Sequence, residues 1–196
     1  MVTKFNALVL AAALSAIAGS ASALTITSAE GDCASDASLS GCSASAARRD
    51  LGNVELASAG NGSFYSLGVG QSASFYFDRQ VTGSLSVSEV TFGRAGYYEE
   101  TALVYGGVMT DGGYDFSALL GSLSNKSDDG FASLAFSGRY DALRFVDTTE
   151  VPAGMPANAD GFDIDSIEVA AVPLPASALM LIAGLGGLGM VRRRKA

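Results

Sequence analysis

Oxygen-bearing side chains crowd the last third of the chain: Asp147, Asn158, Asp160, Asp163, Asp165 and Glu168. Carboxylate and amide oxygens are hard ligands, and Ca²⁺ takes about six to eight of them. Asp160, Asp163 and Asp165 are the candidate metal ligands of this stretch. On a regular strand Asp163 and Asp165 share one face, leaving Phe162 and Ile164 on the other. Ile167 and Val169 then switch parity, so a bulge near Asp165-Ser166 is expected to re-aim one carboxylate. The spacing fails the EF-hand template, because Ile167 stands where its final glutamate belongs. A solvated acidic strand face accounts for the same residues, and the sequence leaves both readings open. No motif requires a cofactor; Ca²⁺ is the ion the cluster suits.

Catalytic constellations are scarce. The chain has no histidine, which excludes Ser-His-Asp and Cys-His arrangements. It has neither a GxSxG elbow nor a phosphate-binding GxxxxGK[ST] loop. Paired carboxylates for glycoside hydrolysis remain a remote alternative, since acids are plentiful. Glu99-Glu100, beside Tyr97-Tyr98, reads as an exposed turn. Gly184, Gly186 and Gly189 spell GxGxxG, but only seven residues follow, so no dinucleotide-binding unit can form. The expectation is therefore a protein that is not an enzyme. Cys33 and Cys42 lie nine positions apart and, in an oxidising compartment, are expected to form a disulfide closing a small loop.

The two ends carry addresses. Lys4, the apolar run Ala7–Ala18 and the small-x-small site Ala21-Ser22-Ala23 describe a signal peptide over 1–23, cleaved after Ala23. The other end, 172–196, has three parts. A proline-broken box occupies 172–176 and consists of Val172, Pro173, Leu174, Pro175 and Ala176. An uncharged segment over 176–191 reads as a transmembrane helix, and Arg192, Arg193, Arg194 and Lys195 form a basic tail over 192–196. Such a helix is about 24 Å long, somewhat short of the roughly 30 Å hydrocarbon core. The cations favour a cytoplasmic C-terminus before processing.

This tail resembles the PEP-CTERM class of bacterial sorting signals, in the variant whose box reads VPLPA. The resemblance covers only the tail. It implies an exported protein of a Gram-negative bacterium, held by a single-pass anchor and then processed near the box by an exosortase-type sorting enzyme. Surface, extracellular-matrix or biofilm location and contact with exopolysaccharide are implied likewise. Leu174 stands where the name-giving form has glutamate, which points to a different subclass of enzyme.

Between the ends, 24–171 forms one expected extracytoplasmic domain. Seven basic and 20 acidic residues lie between 24 and 191, a net charge of −13, against −8 for the whole chain. A field of that sign repels nucleic acid and attracts divalent cations. Short runs of aromatic and β-branched residues are the candidate strands: 63–69, 72–77, 85–92, 101–105, 132–137, 142–147 and 162–169. Asn61-Gly62, Gly106-Gly107, Asp111-Gly112-Gly113, Asp129-Gly130 and Asp160-Gly161 punctuate them as turns. A bulge is expected near Ser88-Glu89. Residues 33–50 read as a surface loop with a helical turn near 44–51, and 148–159 as a long extended loop. The fold class is all-β, an antiparallel β-sandwich, jelly-roll-like.

Gly161–Val169, GFDIDSIEV, is similar to the closing strand of galactose-binding-like carbohydrate modules, some of which hold structural Ca²⁺. That resemblance implies Asp165 as an ion ligand and Tyr97, Tyr98, Tyr105 and Tyr114 as sugar-stacking faces. Two functions follow: an exported structural or adhesive surface protein, or a surface-displayed carbohydrate-binding module that uses calcium.

Overall fold

Alternating apolar residues build the sheet, and two glycines bend it. In the computed structural model the described residues are 23–43, 45–57, 60–90, 98–126, 131–153 and 160–172. The segment Leu24–Val172 forms one compact unit. Its strands are β1 (Ile26–Gly31), β2 (Tyr65–Ser66), β3 (Ser72–Ser88), β4 (Thr101–Thr110), β5 (Gly113–Ser124), β6 (Phe131–Asp147), β7 (Asp163–Ile164) and β8 (Ser166–Ala171). Strand order in the main sheet is β1-β3-β6-β4-β5, with β8 also on β3, and β2 pairs β7 separately. All these pairings are antiparallel.

β3 and β6 are each 17 residues long and run alongside one another. The first half of β3 lies between β1 and the end of β6; its second half lies between β8 and the start of β6. The change of neighbour falls where register slips between Tyr76, Val81 and Gly83. Gly83 (φ +93°) and Gly138 (φ +97°) adopt left-handed backbone there, which L side chains rarely tolerate. Thr82 donates its hydroxyl to the Gly138 carbonyl at 2.6 Å and so ties the two kinks together. The sequence expectation of separate strands over 72–77 and 85–92, and over 132–137 and 142–147, is corrected accordingly. Each pair is one bent strand, because the interrupting residues kink the backbone without reversing it. Strand β3 itself stops at Ser88.

Both halves of the bent sheet feed one core, which gives the sandwich-like form. Phe75, Phe145, Leu143 and Val104 come from one half; Val81, Leu85, Val87 and Ile167 come from the other. Phe75 and Phe145 meet edge to face with centroids 5.8 Å apart, a pairing worth about 0.5–1.5 kcal/mol beyond burial. β1 and β5 were absent from the expected strands. Loop 33–50 is not featureless either: a short helix α1 (Asp32–Ser35) opens it, and 3₁₀ turns occupy Ala46–Arg49 and Leu51–Asn53. The Cys33–Cys42 disulfide is formed, with Cα atoms 5.5 Å apart.

The expected signal peptide over 1–23 meets the described residues only at Ala23; Ala21 lies outside them. Of the C-terminal box only Val172 is described, and its amide donates to the Gln80 carbonyl at 2.7 Å. Pro173, Leu174, Pro175, Ala176, the expected helix 176–191 and Arg192, Arg193, Arg194 and Lys195 lie outside. Among the described residues no helix is long and apolar enough to cross a membrane.

Candidate functional site

The inward-facing rows of two strands end in acids. On β3 the row Leu85, Val87 leads to Glu89; on β4 the row Val104, Ala102 leads back to Glu100. Period-two alternation therefore delivers both carboxyls to the interior just beyond the apolar core. Glu89 and Glu100 are 5% and 7% exposed, and Asp163 of β7 joins them at 4%. Asn125 fixes Glu100. The Glu100 amide donates to Asn125 Oδ1 at 3.0 Å, and Asn125 Nδ2 donates to Glu100 Oε2 at 3.2 Å.

Electrostatics in this corner favour protonated acids. Burial, then the hydrogen bond to Glu89, pushes Glu100 up to about 8. Burial, then the nearby charges of Asp160, Glu100 and Glu89, raises Asp163 well above the usual carboxylate range. Asp163 Oδ1 is buried and accepts no hydrogen bond. A buried carboxylate oxygen without a donor is costly, so the position calls for a proton or a cation.

The remaining acids of the sequence cluster serve the backbone. Asp147 Oδ1 accepts from the amides of Gly70 (3.0 Å) and Thr149 (3.1 Å); its Oδ2 accepts from the Thr149 hydroxyl and the Phe162 amide, both at 2.8 Å. Asp160 pairs with Arg48 at 2.7 Å, while its carbonyl takes the Gly68 amide at 2.8 Å. Asp165 accepts the Asn61 and Gly62 amides, each at 3.1 Å, across a bend between β7 and β8. Asp160 and Asp165 are thus held by different partners, while Asp163 lies close enough to Asp160 to feel its charge. Among the described residues no group of three acidic, cysteine or histidine side chains is placed to hold a metal ion. Glu168 is exposed, and Asn158 lies outside the described residues.

The sequence reading missed Glu89 and Glu100. Glu100 had been assigned to an exposed turn, yet only Glu99 faces outward, bonded to Lys126 and Ser124. The signal that would have found both is parity. Each continues the row of its strand's core residues.

Aromatic residues gather on the outer face of the sheet. Tyr114 lies 4.6 Å from Tyr76 and stacks on Phe116 at 6.1 Å between centroids, and Arg144 sits 4.0 Å over the Phe116 ring. Glu30 accepts the Tyr76 hydroxyl at 3.1 Å, and Ser74 accepts Arg144 Nε at 3.0 Å. Of the proposed stacking residues, Tyr114 belongs to this group and Tyr105 is half-buried on its own strand. Tyr98 is buried, and Tyr97 lies outside the described residues.

Among family models, one short C-terminal motif matches this chain. The PEP-CTERM protein-sorting motif matches residues 171–195. No curated protein sequence matches the chain. Among solved structures, a GH31 CBM32-2 module bound to GalNAc is 11% identical at a TM-score of 0.45, over 77% of this chain and 100% of that one. The C-terminal domain of a chitobiase from Bacteroides fragilis is 12% identical at a TM-score of 0.45, over 79% and 97%. CpGH89CBM32-6 of Clostridium perfringens is 9% identical at a TM-score of 0.39, over 76% and 93%.

Proposed function

We propose that this chain is an exported surface or extracellular-matrix protein with a structural or adhesive role, delivered by its C-terminal signal and cleaved there by an exosortase-type enzyme. The observation that carries the reading is the sorting motif over 171–195, which coincides with the box, apolar segment and basic tail. Pro173 and Pro175 oppose helix at the box and keep its backbone extended, a form a cleaving enzyme can grip. Residues 176–191 serve as the anchor until cleavage, and the signal peptide 1–23 starts export. The body between them contains no histidine, so a histidine-based nucleophilic triad is not available to it.

The intact mass of the protein recovered from its own cell surface or medium tests this. A mass ending near Pro175, alone or with an attached group, is expected. A mass that still includes Arg192 to Ala196 would overturn the cleavage.

A second reading, a carbohydrate-binding module, is favoured by the partly exposed Tyr114–Phe116 stack flanked by Arg144 and Glu30. Sugar rings present apolar C–H faces to such stacks and hydroxyls to the polar groups beside them. Glycan-array binding lost on Tyr114→Ala would support it; no binding to any glycan would remove it.

A further inference from the structure

We infer that Asn61-Gly62 is a self-modifying site: the Gly62 nitrogen closes on the Asn61 side chain, ammonia leaves, and the acid that results loosens the loop clamped on Asp165. The sequence supplies the pair. Asn61 is the chain's only asparagine followed by glycine, the residue whose missing Cβ leaves its nitrogen open to attack. Both residues are exposed, and a Cβ added at Gly62 would meet nothing within 4 Å. The other described asparagines lack this opening. Asn53 precedes Val54 and gives its Nδ2 to the Ala47 and Phe64 carbonyls at 2.6 and 3.1 Å. Asn125 precedes Lys126 and is buried.

The fold holds the reacting groups in place. Asn61 Oδ1 accepts the Ser63 amide at 2.8 Å, which makes an Asx-turn. Such a turn copies a β-turn with side-chain atoms, so Cγ takes the place of a main-chain carbonyl carbon and folds over the Gly62 nitrogen. The same hydrogen bond polarises the Cγ carbonyl and stabilises the charge that gathers on Oδ1 as the ring closes. Asp165 fixes the attacking side. Its buried carboxylate accepts the Asn61 and Gly62 amides, each at 3.1 Å, and a Cβ added at Gly60 would overlap it. Residues 60–62 therefore wrap around one anchor, and the bond to Asp165 adds electron density to the Gly62 nitrogen. Exposed Glu55 accepts Nδ2 at 2.7 Å and turns the leaving group toward solvent.

The step balances with water alone. The N–Cγ bond forms as the Cγ–Nδ2 bond breaks; Gly62 gives its amide proton to solvent base, and Nδ2 takes one from water and departs as ammonia. Water then opens the cyclic imide on either side, leaving an aspartate or an isoaspartate at position 61. Either product loses the Nδ2–H donor to Glu55 and gains a carboxylate beside it, so repulsion stands where a hydrogen bond stood. The isoaspartate also adds a methylene to the main chain between the two amides that clamp Asp165. Asp165 lies between β7 and β8, so the change slackens the bend from which β8 starts.

The test uses the full-length chain, incubated folded and, in parallel, in denaturant at the same mildly alkaline pH. Peptide mapping by mass spectrometry is expected to find amide-to-acid conversion at Asn61, as mixed aspartate and isoaspartate, several-fold faster in the folded chain. Asn53 and Asn125 are expected to stay intact there. Asn61→Gln, which would need a larger ring, is expected to abolish the conversion. Ser63→Pro deletes the N–H that folds the turn and is expected to slow the folded chain to the rate in denaturant. Asn61→Asp reproduces the charged product and is expected to lower Tm by roughly 2–4 °C, with Glu55→Gln restoring it. Conversion that is absent from the folded chain, or no faster there than in denaturant, overturns the inference. A Ser63→Pro chain that converts as fast as wild type does the same. A melt of Asn61→Asp that coincides with wild type overturns the loosening. None of these outcomes depends on cleavage at the C-terminal box.

Discussion

Replacing Asp147 by asparagine changes one oxygen to NH₂ and almost nothing in volume, yet four donors converge on that carboxylate. If the amide nitrogen takes the Oδ1 position, it faces the Gly70 and Thr149 amides, two backbone donors that cannot turn away. If it takes the Oδ2 position, the Thr149 hydroxyl can rotate to accept, but the Phe162 amide loses its partner. The second arrangement is the cheaper. One buried N–H without an acceptor costs about 1–3 kcal/mol, and the bonds that remain go to a neutral acceptor instead of a charged one. Burial raises the Asp147 pKa, so relief of the buried charge offsets part of this. The net expectation is a loss of about 2–3 kcal/mol, or a Tm lower by roughly 4–12 °C for a unit of this size. The control is the same substitution at Asp163, whose Oδ1 has no donor and whose surroundings are acidic. In chelator, Asp163→Asn is expected to leave the Tm unchanged or raise it. Thermal melts at pH 7.5 decide. A variant Asp147→Asn that melts with wild type, or an Asp163→Asn that falls as far, would refute the reasoning.

Glu100 gives a pH dependence with a definite sign. Its folded value is about 8 against 4.5 unfolded, so between those values the unfolded chain releases a proton the fold retains. Stability contributed by this group is therefore present below pH 4.5, falls as pH rises to about 8, and then levels. In chelator, Glu100→Gln is expected to flatten that decline in melts from pH 4.5 to 9; parallel profiles would exclude it. Gly161→Ala tests backbone fit, because φ is +76° and an added Cβ would meet Asp147 Oδ2 at 2.7 Å. It is expected to cost more than 2 kcal/mol, against about 1 for Gly62→Ala, where φ is +82° but the space is open. Denaturant midpoints of the two variants measure the difference.

The sorting tail was legible because its signal is local: a box, an apolar run and a cation cluster in fixed order need no tertiary contact to be recognised. Most strands were legible for a similar reason, through alternation such as Leu143/Phe145 and Leu134/Phe136. β5 escaped because Ala118, Gly121, Ser122 and Ser124 have weak strand propensity, although Tyr114, Phe116 and Ala118 keep the period. The continuity of β3 and β6 was hidden because a glycine that kinks a strand and one that ends it look alike in one dimension. The acidic corner was hidden for a different reason. Glu89 and Glu100 are 11 positions apart from one another and more than 60 from Asp163, so only sheet pairing brings them together. Asp165 misled in the opposite direction, its role as acceptor for the Asn61 and Gly62 amides being set by a loop about 100 residues earlier.

The hydrogen bond from Val172 to Gln80 bears on the slack in the chain. The ladder of β8 on β3 ends at Ala171, this bond extends it by one residue, and Pro173 has no N–H with which to continue. The sheet pairing of the body therefore reaches Val172, the first residue of the box. Under the proposed processing, an enzyme acting at the box meets a chain that is held to the sheet as far as Val172. Fraying of β8 would lengthen the accessible chain by about 3 Å for each residue released. Under that proposal, the stability of one edge strand sets how much chain beside the box is accessible.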